Sequence, residues 1–316
     1  MSLLLLVVLF AVLSVPQAPA LTPKKPASVP PASATGNVAP PSDSSRKTAE
    51  PSGMGPGNAI WATSVEDAIQ RAARESKFVF FEFVKKECGN CQRMDGLLYP
   101  AFDFEALLVP MVPVKVSLDS SSGKEFAARY DVEDAPAILV TTPEGRLVFL
   151  MNGFFNQGDF FRHVNADVEG YRKFARQIEA QDISKLPARE AFDTGNQLYQ
   201  RSDPQAALPR LKRAASAPGA STEEREDALE LLAAVQLDLG QPAASRETVE
   251  RLLATTKDRA RRERGEIFRA QIPLAENRPA EALALFRRFQ KDHPTSPHIS
   301  RVNELVHRLE ERVKTP

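Results

Sequence analysis

Hydrophobic positions change period along this chain, and each change marks a structural element. Val65, Ala68, Ile69 and Ala72 recur at helical spacing, and Thr63 with Glu66 predicts a capping box for a helix over about 64–75. Lys77–Val84 (KFVFFEFV) is nearly continuous apolar and aromatic sequence, the pattern of a strand buried on both faces. Residues 89–99 read as helix, with Pro100 interrupting and a second helical piece near 102–108. Strands are predicted at Val112–Leu118, Ala137–Thr142 and Arg146–Met151, with a turn at Pro143–Gly145 and helices at Ser122–Tyr130 and Asp159–Ala180. This order implies a mixed sheet covered by helices, an α/β unit. Past Leu186-Pro187 the chain is rich in Ala, Leu, Arg and Glu at helical spacing, with almost no strand signal. Ala207, Ala244 and Ala282 each follow a Pro-containing turn (Asp203-Pro204, Gln241-Pro242, Arg278-Pro279), a period of 37 and then 38 residues. Helix pairs stacked into an all-α solenoid account for such a period.

The N-terminal 57 residues follow neither pattern. Leu3–Val15 is an uncharged apolar run, followed by Pro16 and the small-residue pattern Ala18-Pro19-Ala20. The run is too short for the hydrocarbon core of a bilayer, so residues 1–20 read as a cleaved secretory signal and no membrane span remains after cleavage. Residues 21–57 are rich in Pro, Ser and Ala and carry no aromatic residue, which predicts a disordered tether. Twelve of the 18 phenylalanines then fall between Phe78 and Phe161, where an aromatic core is being built. Over the whole chain 41 basic residues balance 41 acidic ones, leaving no global field for a nucleic acid. Two cysteines and four scattered histidines offer no compact metal set, so no metal is expected.

Those two cysteines carry the candidate chemistry. Lys85-Lys86-Glu87-Cys88-Gly89-Asn90-Cys91 sets two thiols three positions apart where a predicted strand turns into a helix. At the helix start, the Cys88 sulfur faces unpaired N–H groups and the positive end of the dipole, which favour thiolate. Cys91, one turn in, is expected to lie deeper and can close a disulfide with Cys88, and a dithiol so placed exchanges with other disulfides. Glu87 beside Cys88 opposes thiolate formation, while Lys85 and Lys86 favour it.

The segment KFVFFEFVKKECGNC, together with Ala135-Pro136 before AILVTT, Gly145 in TPEGRLV and Gly153 in MNGFF, resembles the thioredoxin superfamily over about residues 60–180. The resemblance implies a thioredoxin-like fold and a redox-active Cys88–Cys91 disulfide, with Cys88 the attacking thiol and Cys91 the resolving one. It aligns Glu82 with the family's buried acid, able to take a proton from Cys91, and Lys115 with the lysine beside that acid. Pro136 aligns with a cis-proline that leaves the Ala135 backbone free to pair with a substrate strand. Gly89 and Asn90 stand between the thiols; no histidine is there, which favours a reductant or general exchanger over a strong oxidase. The dithiol is itself the redox group, and no nucleotide, flavin or other cofactor is implied. The duller alternatives are an inert structural bridge, a Glu82–Lys115 couple serving only structure, and a trans Pro136.

The later repeats resemble tetratricopeptide units over about 188–313, through Gly195, Leu198, Ala207, Leu211 and Ala214 in the first unit and Ala282, Phe286 and Pro294 in the third. The second unit keeps Ala228, Leu231 and Ala244 but has Thr248 and Arg251 where apolar residues are usual. Pro273 interrupts the third unit's first helix, and 297–313 form a polar capping helix. The chain therefore reads as signal peptide (1–20), linker (21–57), thioredoxin-like domain (58–182) and tetratricopeptide-like domain (187–316). Its expected function is that of an exported, periplasmic or otherwise extracytoplasmic bacterial thiol–disulfide oxidoreductase. Its expected partners are protein disulfide or dithiol substrates, an external redox partner, and a protein or peptide bound by the repeats. The alternatives are a non-enzymatic scaffold that binds partners through its repeats, and a cytoplasmic protein with an atypical start.

Overall fold

Strand β1 (Phe78–Val84) forms where the aromatic run predicts it, and Val79 through Phe83 are all buried. A strand with no polar face needs cover on both sides and neighbours on both edges. β2 (Met111–Ser117) pairs with it in parallel, β3 (Ala137–Thr141) pairs antiparallel on the other edge, and β4 (Leu147–Asn152) completes the order β2-β1-β3-β4. The computed structural model describes residues 61–99, 102–154 and 156–314; the proposed signal at 1–20, the proposed tether at 21–57 and the break at Pro100 lie outside the described residues. Alternation along β1 sends Val79, Phe81 and Phe83 to one face and Phe78, Phe80 and Glu82 to the other. Helices α1 (Val65–Glu75) and α4 (Ser121–Ala128) cover the first face, bringing Ala68, Ala72 and Ala127 into one cluster with Phe81 and Phe83. On the second face Phe80 meets Trp61 and Phe104 edge-on, and Phe78 meets Tyr171. Phe104 belongs to α3 (Phe102–Leu108) and Tyr171 to α5 (Gln157–Glu179). With α2 (Gly89–Leu97) following β1, this mixed sheet flanked by helices is a thioredoxin-like fold.

Local chemistry shifts some expected boundaries. The cap of α1 is Ser64, whose hydroxyl accepts from the Asp67 N–H at 3.1 Å, while the Thr63 N–H donates to the Asp67 carboxylate at 3.0 Å. The capping interaction expected of Thr63 and Glu66 is thus displaced by one residue, because Asp67 reaches back across the turn. In α4 the Ser120 hydroxyl caps the helix by accepting from the Gly123 N–H at 3.0 Å. A Cβ on Gly123 would stand 1.9 Å from the Ser117 carbonyl oxygen, so only glycine lets the helix start this close to the end of β2.

The described chain forms two compact units that divide between Lys173 and Phe174, within α5. The reason is that Phe174 packs into one cluster with Leu186, Ala191 and Leu198. The second unit is helical: α6 (Ala188–Gln200), α7 (Pro204–Ser216), α8 (Thr222–Asp238), α9 (Pro242–Thr255), α10 (Arg259–Ala275), α11 (Pro279–Asp292) and α12 (Ile299–Lys314). Pro204, Pro242 and Pro279 each occupy a first helical turn, where a missing N–H costs nothing and the fixed φ starts the helix. A Cβ on Gly195 would lie 2.9 Å from Leu211, which explains the glycine at the α6–α7 crossing. Pro273 does not break α10 as expected; it sits in the last turn, where few bonds remain to be lost. Thr248, an apolar position by pattern, is buried and donates to the Gln236 side chain at 2.7 Å, so the polar substitution has its partner. The last helix is more than a polar cap, since Val302, Leu305, Val306 and Leu309 pack against Phe286 and Phe289. Side chains of α8 and α10 are also stitched by charge: Arg261 meets Asp227 at 2.6 Å and Glu226 at 3.4 Å, and Arg264 grips Glu230 through two nitrogens at 2.5 and 3.0 Å. Among the described residues no helix is long and apolar enough to cross a membrane.

Two glycines separate steric need from mere occurrence. Gly123→Ala is expected to destabilise the first unit by about 1–3 kcal/mol through overpacking. Gly96→Ala, with open space around the added carbon, should gain roughly 0.5–1 kcal/mol of helix stability. Urea unfolding followed through Trp61, the single tryptophan, checks both.

Candidate functional site: a disulfide at the start of a helix

The end of β1 delivers residues 85–87 directly to α2, and Cys88 is the N-cap of that helix. Its sulfur accepts the Cys91 N–H at 3.0 Å, one of the orphan donors of a helix start. Cys88 and Cys91 are joined in a disulfide with an S–S length of 2.03 Å. Both are buried, at 6% and 5% exposure, so the greater depth expected for Cys91 is not found: the closed bridge leaves the two sulfurs equally covered. Gly89 and Asn90 are exposed, and Gly89 has open space around it, so neither is required by packing. Cys91 and Met94 form the buried side of α2, and the Arg93 guanidinium lies 4.6 Å over the Phe154 ring beyond β4.

Carboxylates hold the segment before Cys88 at two points. The Lys86 N–H donates to Asp119 at 2.7 Å, and the Lys85 ammonium donates to Asp134 at 2.5 Å. Lys85 therefore has a carboxylate partner of its own. Asp134 belongs to the loop of the cis Ala135–Pro136 bond, so the Lys85–Asp134 contact joins the cysteine loop to the proline loop. The pairing of Phe83 with Ala137 puts both loops at one end of the sheet. The Pro136 carbonyl accepts from the Gly153 N–H at 2.8 Å. The Ala135 N–H, expected to be free for a substrate strand, is occupied: it donates to Asp134 Oδ1 at 2.8 Å. These bonds from Lys85 and then Ala135 hold the Asp134 carboxyl below the usual carboxylate range.

Glu82 lies fully buried in mid-strand, next to Lys115 in the parallel register. Lys115 Nζ stands 3.3 Å from Glu82 Oε2 and 2.9 Å from Asp95 Oδ1, and it lies over the rings of Trp61 and Tyr99. The ion pair is close, yet neither Glu82 oxygen has a well-directed hydrogen bond. Burial accordingly raises the Glu82 pKa, against the pull of the Lys115 ammonium. Burial lowers the Lys115 pKa, but Glu82 and Asp95 outweigh it and the net shift is upward. The Tyr99 phenol, buried beside Glu82, is raised by burial first and by that carboxylate second. The arrangement links a buried acid through one cation to Asp95, whose side chain is about half exposed.

Asp134, Asp95 and Tyr99 are the site residues that sequence reading misses. Asp134 had a local signal, a short acceptor one residue ahead of an Ala-Pro pair, since Asp side chains bond nearby backbone N–H groups. Asp95 and Tyr99 had none, because their link to Lys115 and Glu82 is a matter of how α2 lies on the sheet. Among the described residues no His, Cys, Asp and Glu group is arranged to hold a metal ion.

The raised pKa of Glu82 has a signed consequence for stability. A group that binds its proton more tightly when folded contributes stability fully below its unfolded pKa, near 4.3, and loses it as pH rises through the folded value. Glu82→Gln is therefore expected to match the wild type near pH 4 and to exceed it near pH 8, by about 1.4 kcal/mol for each unit of elevation. Urea midpoints at the two pH values test this, and an equal difference at both would refute it.

No protein-family model and no curated protein sequence matches this chain. Among solved structures it is similar to a thioredoxin from Thermus thermophilus, at 23% identity over 34% of this chain and 85% of that one, with a TM-score of 0.32. A DsbH oxidoreductase is similar at 16% identity over 40% of this chain and 95% of that one, with a TM-score of 0.32. The C-terminal domain of DsbD from Neisseria meningitidis, in its oxidised form, is similar at 16% identity over 34% of this chain and 99% of that one, with a TM-score of 0.30.

Proposed function

We propose that this chain is an exported thiol–disulfide oxidoreductase that acts on protein disulfides through Cys88 and Cys91. The observation that carries this reading is the Cys88 sulfur at the N-cap of α2, accepting a helix N–H. In the reduced protein the same site stabilises a Cys88 thiolate. That thiolate attacks one sulfur of a substrate disulfide, forming a mixed disulfide and releasing the other sulfur as a thiolate. Cys91 then gives its proton to the Glu82 carboxylate and attacks the Cys88 sulfur, which expels the second substrate thiolate and leaves the Cys88–Cys91 disulfide. Two electrons pass to the substrate, and an external dithiol donor restores the pair. Ala135-Pro136 positions the substrate strand, and Lys115 holds Glu82 in place. The thioredoxin-like domain extends over 58–182 in this reading.

The tetratricopeptide-like domain, 187–316, docks a protein or peptide partner. Its support is a groove of about 1020 Å³ between the start of α8 and the end of α9, with Leu229 and Ala254 among its apolar lining and Arg225, Arg251, Glu223 and Asp258 among its charged lining. The extracytoplasmic setting rests on the Leu3–Val15 run and the Ala18-Pro19-Ala20 pattern, and the bacterial source on the rich use of Ala, Arg and Pro.

Reduction of insulin disulfides by the full chain, driven by a dithiol, tests the activity. Cys88→Ser is expected to abolish turnover, and Glu82→Gln to slow it by about 100-fold or more by removing a general base. A wild type inactive under both reducing and oxidising couples would favour the non-enzymatic scaffold. The export reading predicts a mature N-terminus at Leu21; mass spectrometry of the secreted fraction checks it, and retention of Met1 would remove that part of the proposal.

A further inference from the structure

The Asp134 carboxylate takes up a backbone donor that a substrate strand needs. Pro136 has no N–H, and the Ala137 backbone already lies within the ladder, paired with Phe83 on one side and Asn152 on the other. Ala135 therefore carries the backbone N–H at the start of β3 best placed to bond an incoming extended chain. That N–H donates to Asp134 Oδ1 at 2.8 Å, and the same oxygen receives the Lys85 ammonium at 2.5 Å. An ionised acceptor makes a stronger bond than a peptide carbonyl does, and Lys85 fixes the carboxylate in the bonding position. The Asp134 side chain is 70% exposed, so it can swing into water and release the amide with no buried charge left behind.

Resting on the oxidoreductase reading, we propose that Asp134, held by Lys85, is an internal competitor for the Ala135 amide, so that a protein disulfide binds only by displacing this carboxylate. The contact discriminates by substrate shape. An extended chain that replaces the lost bond with backbone pairing is accepted, whereas a small disulfide that makes no strand contact neither displaces Asp134 nor gains from its removal. Asp134 is thus a positioning and selectivity residue, separate from the thiols and from Glu82.

The test compares a protein disulfide, insulin, with a small aromatic disulfide as substrates of the full-length chain. Asp134→Ala frees the amide and is expected to lower KM for insulin about three- to tenfold with kcat unchanged, the loss of one competing hydrogen bond. Its kinetics with the small disulfide should stay at wild-type values. Asp134→Asn keeps an acceptor for the amide but loses the charge and the Lys85 pair, and is expected to give a KM between those of the wild type and Asp134→Ala. Lys85→Met, which leaves the carboxylate unanchored, should fall in the same interval. A thermal melt of each variant confirms that the first unit stays folded. An unchanged or raised insulin KM in Asp134→Ala, or an equal change with both substrates, overturns the inference and leaves the oxidoreductase reading standing. A wild type inactive on both substrates overturns that reading and this inference with it.

Discussion

The continuous burial of β1 is the constraint on which the first unit depends. Five successive residues with no access to water force cover onto both faces and a strand onto each edge, so the direction in which the chain leaves β1 is set by the sheet itself. Cys88 lies four residues beyond that exit, too few for an independent excursion. The helix start, the sulfur and the amide it accepts thus inherit their positions from the core rather than from a loop. The same central placement buries Glu82, because alternation turns it to the face where Phe80, Trp61 and Tyr99 already exclude water.

Much of this was legible in the sequence, for a physical reason. Strand and helix periods arise from which face a residue buries, so the aromatic run, the helix after it and the repeated Ala positions after Pro turns all left a mark. Glu82 stood out as a carboxylate inside an apolar run, and Lys115 as a charge out of step with Val114 and Val116. What stayed hidden depends on side-chain reach. Whether Ser64 or Thr63 caps α1 turns on which oxygen meets the Asp67 amide, and the pattern is the same either way. Likewise Pro273 reads as a break, because its place in the last turn of α10 rather than its middle is a question of where the helix stops.

The two loops at the disulfide end of the sheet show how local and distant chemistry combine. Asp134 satisfies the amide next to it in sequence, an interaction any short acidic side chain can make. It also meets Lys85 from the far side of the disulfide segment, which only the β1–β3 pairing permits. A local turn contact becomes a tie between the cysteine and proline loops, and the Ala135 amide is thereby governed by a residue outside the proline loop.

In the helical unit, apolar packing and charge have different reach. Leu, Ala and Phe contacts between helices would accept many neighbours of similar volume, but Arg261 and Arg264 match only a helix that presents acids at the positions of Asp227 and Glu230. The pairs are therefore not interchangeable modules. Moving either helix to another neighbour would set Arg261 and Arg264 against a surface without matching acids.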